Sequence, residues 1–208
     1  MADELVFYTN PQSRGQIVRW MLEETGAEYR TEVMDYASTM KAEPYLSINP
    51  MGKVPAIVHE GHVVTECAAI CAYLAEAFPE AGLVPTADER ADYYRWLFFA
   101  AGPMEQAVTN NFARFVPSPE QGRMFGYGSY DLAVDTLEKT VAAHPYIAGD
   151  RFTAADVYVG STVGWGLAFG TLPKRDAFAA YFDRVSARDG YKRAKAKDEA
   201  LAAELAPA

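Results

Sequence analysis

A proline stands second in the short apolar run Val54–Val58, and that position restricts the chain more than any other feature of its 208 residues. Proline has no amide hydrogen to give to a ladder, so a strand accepts it only at an edge, at a bulge or at its start. The bond before it is also the one peptide bond whose cis form costs little. Ahead of it, Asn49-Pro50 ends one segment and Met51-Gly52-Lys53 turns the chain. Behind it, His59-Glu60-Gly61 makes a tight turn, His62–Val64 forms a second short strand, and Thr65 opens a helix. Val-Pro at the mouth of a hairpin that runs straight into a helix reads in two ways. It is either an ordinary edge hairpin or a stretch of backbone presented to a ligand.

The rest of the chain divides around this hairpin. Leu5–Tyr8 is a short apolar strand, and Thr9–Ser13 is turn-forming. A helical pattern from Arg14 to Thr25 repeats Ile17, Val18, Met21 and Leu22 at intervals of three and four, and Gly26 stops it. Tyr29–Met34 alternates as a strand, so the first two strands form a βαβ unit and should be parallel. Residues 35–50 form a polar connection with a helical turn at Glu43–Ser47, and Glu66–Phe78 is the helix after the hairpin. Pro79–Pro85 is rich in breakers and reads as a linker. Beyond it the period is helical throughout, with helices expected at 87–112 (kinked at Gly102-Pro103), 119–143, 154–169, 174–187 and 190–204. The expectation is an α/β domain over 1–80, a linker over 81–88, and an all-α domain over 89–208.

Composition narrows the partners. A hydrophobic share of 50% and a charged share of 23% are those of an ordinary globular protein, and no apolar run is long enough to span a bilayer. The start carries no leader-like pattern, and the two cysteines, Cys67 and Cys71, lie four apart on one helix instead of framing a disulfide scaffold. A reducing, cytoplasmic setting is expected. The formal charge of −9 argues against nucleic acid or an anionic membrane as main partner. It also means that any anionic ligand must be held by a few local donors. His59, His62 and His144 have no partners at metal-ligand spacing, so no metal or prosthetic group is expected.

Four stretches in this order carry a resemblance across essentially the whole chain. They are the strand–turn–helix Tyr8–Thr25; Asn49-Pro50-x-Gly52-Lys53-Val54-Pro55; Thr65-Glu66 with Ala69-Ile70 and Tyr73-Leu74; and Thr153–Asp156, where Thr153 and Asp156 form a capping box. Together they resemble the cytosolic glutathione transferases. That family joins a thioredoxin-like βαβ-α-ββα domain to an all-helical domain, acts as a homodimer, and adds the glutathione thiolate to hydrophobic electrophiles or reduces organic peroxides. The resemblance implies that Val54, before a cis Pro55, pairs its backbone with the cysteinyl backbone of glutathione as an added strand would. It implies that Glu66 meets the γ-glutamyl ammonium and the amide of residue 67 its carboxylate. At that helix start, unpaired N–H groups favour an anion. Lys53 is placed for a glutathione carboxylate, and Arg14 belongs to the same site. The plain alternatives are a first-turn acid at Glu66 and a solvated turn residue at Lys53. The family usually has serine after the acid, and Cys67 departs from that. A thiol is the poorer hydrogen-bond partner, so the backbone amide is expected to carry the contact. Cys67 and Cys71 otherwise read as small apolar residues.

The thiol-activating group is expected in the turn between the first strand and first helix. Ser13 leads, as in serine-type members; Tyr8 follows, as in tyrosine-type members; Asn10 is third. Ser13 as a plain helix cap is the alternative. The turn has no cysteine, so the cysteine-type thiol-exchange members are disfavoured. A hydrophobic co-substrate is expected between the domains, near Tyr93, Trp96, Phe99, Met104, Phe112, Phe115 and Trp165. The competing reading is a non-catalytic glutathione-binding or assembly protein that retained the fold. A third is reductive thiol exchange through Cys67.

Overall fold

The structure, a computed structural model, describes residues 4–206. Met1–Asp3 and Pro207–Ala208, the ends of the two expected domains, lie outside the described residues. In chain order the elements are β1 Val6–Thr9, α1 Gly15–Thr25, β2 Arg30–Val33, α2 Tyr45–Ile48, β3 Ala56–His59, β4 His62–Thr65 and α3 Cys67–Ala77. The helices α4 Arg90–Phe99, α5 Glu105–Phe112, α6 Tyr130–Ala143, α7 Ala154–Phe169, α8 Asp176–Ser186 and α9 Asp189–Glu204 follow. Contacts divide the chain into two units. The first runs to Leu83 and takes in the segment from Arg188 onward; the second is Val84–Ala187.

The first unit is built on a four-stranded sheet in the order β2-β1-β3-β4. β1 pairs parallel with β2, and antiparallel with β3 through Val6↔Val58, Phe7↔Ile57 and Tyr8↔Ala56. Phe7, Ala56 and Ile57 are fully buried, as expected of the sheet's central strands. The turn Glu60-Gly61 has positive φ at both positions, the geometry that a two-residue hairpin requires. The apolar run expected as a strand from Val54 enters the ladder only at Ala56, because Pro55 has no hydrogen to donate. The Val54-Pro55 bond is cis.

The N-terminus of α1 lies hard against β1. A Cβ on Gly15 would stand 1.9 Å from Thr9 Oγ1, and Thr9 is fully buried. Gly15→Ala is therefore expected to cost about 1–3 kcal/mol through forced displacement. Urea unfolding measures it, and an unchanged midpoint would mean that the junction relaxes freely.

Helix α9 was expected in the helical domain on periodicity alone, yet its contacts are with α1 in the first unit. The reason is charge. Arg19 and Glu23 lie buried on α1, four residues apart, and neither can remain unpaired. Arg19 Nε donates to Asp198 Oδ1 at 2.6 Å, and Lys197 Nζ meets Glu23 Oε1 at 2.5 Å. Arg193 adds a bond to the Glu23 carbonyl at 2.6 Å, and Arg188 an ion pair to Glu24 at 2.7 Å. Burial works against the Glu23 charge, but bonds from Lys197, Tyr29 and Arg193 outweigh it and hold the carboxyl below its ordinary range.

The second unit is helical as expected, with two differences. The kink expected at Gly102-Pro103 takes the form of a π-helical segment, Ala100–Met104, between α4 and α5. The helix expected over 119–143 begins only at Tyr130. Gly122, Gly126 and Gly128 interrupt the earlier part, and Ser129 caps the start by accepting from the Leu132 amide at 3.2 Å. The capping box at Thr153–Asp156 is present, and α7 behind it is buried along most of its length.

Candidate functional site

Three segments of the first unit meet at one end of its sheet: the β1–α1 turn, residues 49–55, and the start of α3. The first is tied by its own side chains. Asn10 Nδ2 donates to the Met34 carbonyl at 2.9 Å, and Asn10 Oδ1 accepts from the Gln12 amide at 2.9 Å. Both ends of that amide therefore serve the turn. Ser13 Oγ accepts from the Gly15 amide at 2.9 Å and donates to the Asn10 carbonyl at 2.6 Å. The same carbonyl also accepts from the Ser13 amide at 3.1 Å and the Thr9 hydroxyl at 3.4 Å. The Ser13 proton can therefore turn to another acceptor without leaving a carbonyl unsatisfied. Tyr8 is half-buried with its ring 5.5 Å from that of Tyr45, and among the described residues no hydrogen bond engages its hydroxyl.

The second segment is fixed more firmly than its sequence suggested. Gly52 has φ +56°, and a Cβ there would lie 2.9 Å from the Met40 carbonyl, so both conformation and space require glycine. Lys41 Nζ donates to the Gly52 carbonyl at 2.5 Å. The Lys53 carbonyl accepts from the Tyr45 hydroxyl at 2.5 Å and from Asn49 Nδ2 at 2.8 Å. Asn49 is buried and also accepts from the Met51 amide at 3.1 Å. Lys53 itself is exposed, Val54 is half-buried and Pro55 is buried. Val54 precedes the ladder, and among the described residues neither its N–H nor its C=O has a hydrogen-bond partner.

The third segment is the start of α3. Glu66 is exposed and holds φ +65° with ψ 117°, a conformation that L-residues avoid and that carries a cost of about 1–3 kcal/mol. Its carbonyl accepts the first helical bond, from Ile70, at 2.9 Å. A helix start carries the positive end of its dipole, which favours an anion. Cys67 is half-buried, and its Sγ donates to the Arg14 carbonyl at 3.7 Å, which brings the starts of α1 and α3 together. Cys71 is fully buried, and burial pushes its thiol well up, so it is an unreactive apolar residue.

Ser13, Arg14, Lys53, Val54, Pro55, Glu66 and Cys67 thus lie on these three segments, with Tyr8 in β1 just before the first and Asn10 bracing it. Three residues escaped the sequence reading: Lys41, Tyr45 and the side chain of Asn49. Their roles rest on contacts with backbone carbonyls, which no pattern of residue types announces. The expected co-substrate residues divide. Tyr93, Trp96 and Met104 are buried in the second unit, Phe99 and Trp165 are half-buried, and Phe112 and Phe115 are exposed at 79% and 41%. Among the described residues no group of His, Cys, Asp and Glu could hold a metal, and no helix is long and apolar enough to cross a membrane.

Comparison with known proteins gives a consistent result. Residues 4–76 match the family model of the glutathione S-transferase N-terminal domain, and residues 129–189 that of the C-terminal domain. The chain is 30% identical to glutathione S-transferase GST-4.5 of Xanthomonas campestris over 188 residues, 86% of this chain and 92% of the relative. It is 27% identical to a sphingomonad glutathione S-transferase solved in complex with glutathione, with a TM-score of 0.75 over 93% of this chain and 98% of the other. A glutathione transferase from Methylococcus capsulatus is likewise 27% identical, with a TM-score of 0.76 over 94% and 99%.

Proposed function

Since the chain belongs to the glutathione S-transferase family, we propose that it is a glutathione transferase that binds glutathione on the first unit, stabilises its thiolate, and adds it to a hydrophobic electrophile or uses it to reduce an organic peroxide. The observation that carries this reading is the unpaired backbone of Val54 beside the strained start of α3 at Glu66. Two spare backbone groups ahead of a strand offer an extended peptide one more pair of ladder bonds. The helix start, with Glu66 next to it, suits a group that carries both a carboxylate and an ammonium. Lys53 supplies a cation for a further carboxylate, and Arg14 lines the same end. At residue 67 the backbone amide makes the contact, because the Cys67 thiol is turned to the Arg14 carbonyl.

Thiol activation falls to Ser13, whose proton is held by a carbonyl that has two other donors. Tyr8 is the second candidate. Asn10 recedes, since both ends of its amide are engaged in the turn. The enzyme acts as a cytoplasmic homodimer and needs no metal or prosthetic group.

Calorimetric titration with glutathione, followed by ultraviolet absorbance of the bound thiolate, tests the reading. Saturable binding is expected, with a bound-thiol pKa below the ordinary value of about 8.5. Conjugation of an activated aryl halide should accompany it. Binding without a lowered thiol pKa or turnover would favour the non-catalytic alternative, and absence of binding would overturn both.

A further inference from the structure

The Lys53–Val54 peptide is one planar unit, so its carbonyl and its N–H are fixed relative to each other and point opposite ways. Both acceptor sites of that carbonyl are filled, by the Tyr45 hydroxyl at 2.5 Å and Asn49 Nδ2 at 2.8 Å. Donors on the carbonyl draw electrons through the amide and make the opposite N–H a stronger donor. They also set the direction in which that N–H points. Tyr45 is 2% exposed, and its ring packs on Tyr8, 5.5 Å away, in a cluster that includes Met34, Met40, Ala56 and the Val54 side chain. One buried side chain therefore touches Tyr8, near the end of β1, with its ring and the ligand-facing peptide with its oxygen.

We propose that Tyr45 is a positioning residue for the thiol-bearing peptide: through Lys53 it aims and polarises the Val54 N–H, and through its ring it sets where Tyr8 stands. This rests on the reading of Val54 as the backbone partner of glutathione. The hydroxyl governs binding of the peptide, and the ring supports Tyr8. Burial pushes the Tyr45 phenol up to about 12, against the pull of its Asn49 hydrogen bond and with Tyr8 adding to the rise, so it remains a donor across the physiological range.

The test compares wild type with Tyr45→Phe, which keeps the ring and removes one oxygen. Glutathione Kd is measured by calorimetry, the Val54 amide resonance by NMR of labelled protein, and kcat at saturating glutathione. Tyr45→Phe is expected to raise Kd roughly threefold to tenfold, the loss of one hydrogen bond's worth of orientation. The Val54 amide proton should move upfield in the free protein. The kcat at saturation and the bound-thiol pKa should hold within about twofold and about 0.3 unit, limits below the effect of one hydrogen bond. Asn49→Ser, which retains a turn-forming hydroxyl but gives up the reach to Lys53, should move Val54 and Kd in the same direction through the other donor. An unchanged Val54 resonance and Kd in both variants would overturn the proposal, as would a fall in kcat with Kd unchanged. If wild type takes up no glutathione but Tyr45→Phe still moves Val54, the positioning stands and the glutathione reading falls.

Discussion

Asp156→Ala is expected to cost about 3–5 kcal/mol of folding stability, the largest loss from any single side chain considered for this protein. The carboxylate accepts from the Ile147 amide at 2.7 Å and the Tyr181 hydroxyl at 2.9 Å on one oxygen. On the other it accepts from the Thr153 amide at 2.9 Å and the Thr153 hydroxyl at 3.1 Å. All of these groups are inside, so alanine would strand donors that water cannot reach, at about 1–3 kcal/mol each before relaxation. Asp156→Asn keeps one acceptor oxygen but faces the Thr153 donors with hydrogens, and should cost about half as much. Urea unfolding followed by circular dichroism and tryptophan fluorescence measures both, and a loss under about 1 kcal/mol for alanine would mean that the network is dispensable. Acidity adds a second readout. Burial pushes the Asp156 carboxyl up to about 6, against the pull of its bonds from Ile147, Thr153 and Tyr181. The folded state therefore holds the proton more tightly than the unfolded chain, whose carboxyl titrates near 4. The contribution of this group is full below about pH 4 and is lost as pH rises through about 6. The stability gap between wild type and Asp156→Asn should widen as pH falls across that window.

The second large effect is on turnover. Ser13→Ala should lower kcat/KM tenfold to a hundredfold below the thiol pKa, by removing one donor aimed at a developing thiolate, an effect of about 1–3 kcal/mol. The bound-thiol pKa should rise by about one to two units in the same variant, because each unit corresponds to about 1.4 kcal/mol. Ser13 also caps the Gly15 amide, so some stability is lost, about 1 kcal/mol. The two consequences separate cleanly: a cap acts on unfolding, whereas a thiolate donor acts on the pKa. Tyr8→Phe should leave the pKa within about half a unit if serine is the activator. If Ser13→Ala leaves the thiol pKa unchanged and Tyr8→Phe raises it, the roles are reversed. If neither moves it, a backbone amide at the start of α1 holds the thiolate.

Much of this was legible in the chain. Period and breakers placed every strand and most helices. Pro55 announced the cis bond that the structure bears and Met51-Gly52-Lys53 the turn, whereas the positive φ of Glu66 was not to be read from a residue type that usually avoids it. Three things were hidden, each for a physical reason. Helical periodicity records that a helix has a buried face but not which partner buries it, so α9 was assigned by adjacency. The clue was Arg19 and Glu23, two charges four residues apart that lie among the buried positions of α1. The early start expected for α6 failed because apolar spacing outweighed three glycines in the reading, whereas in the molecule the backbone cost of those glycines prevails. Tyr45 read as one more aromatic in a helical turn, since a hydrogen bond to a carbonyl eight residues on leaves no trace in residue type.

The return of α9 to the first unit has a consequence for the making of the protein. The sheet, α1 and the whole of the proposed glutathione site leave the ribosome early, yet the helix that neutralises Arg19 and Glu23 is separated from Leu83 by roughly 100 residues of the second unit. At about 5–20 residues per second, synthesis reaches it some 5 to 20 seconds later. Throughout that interval the face of α1 that carries Arg19 and Glu23 lacks the helix that covers and pairs it. The unit that opens the described chain is thus completed only after the second unit has been made.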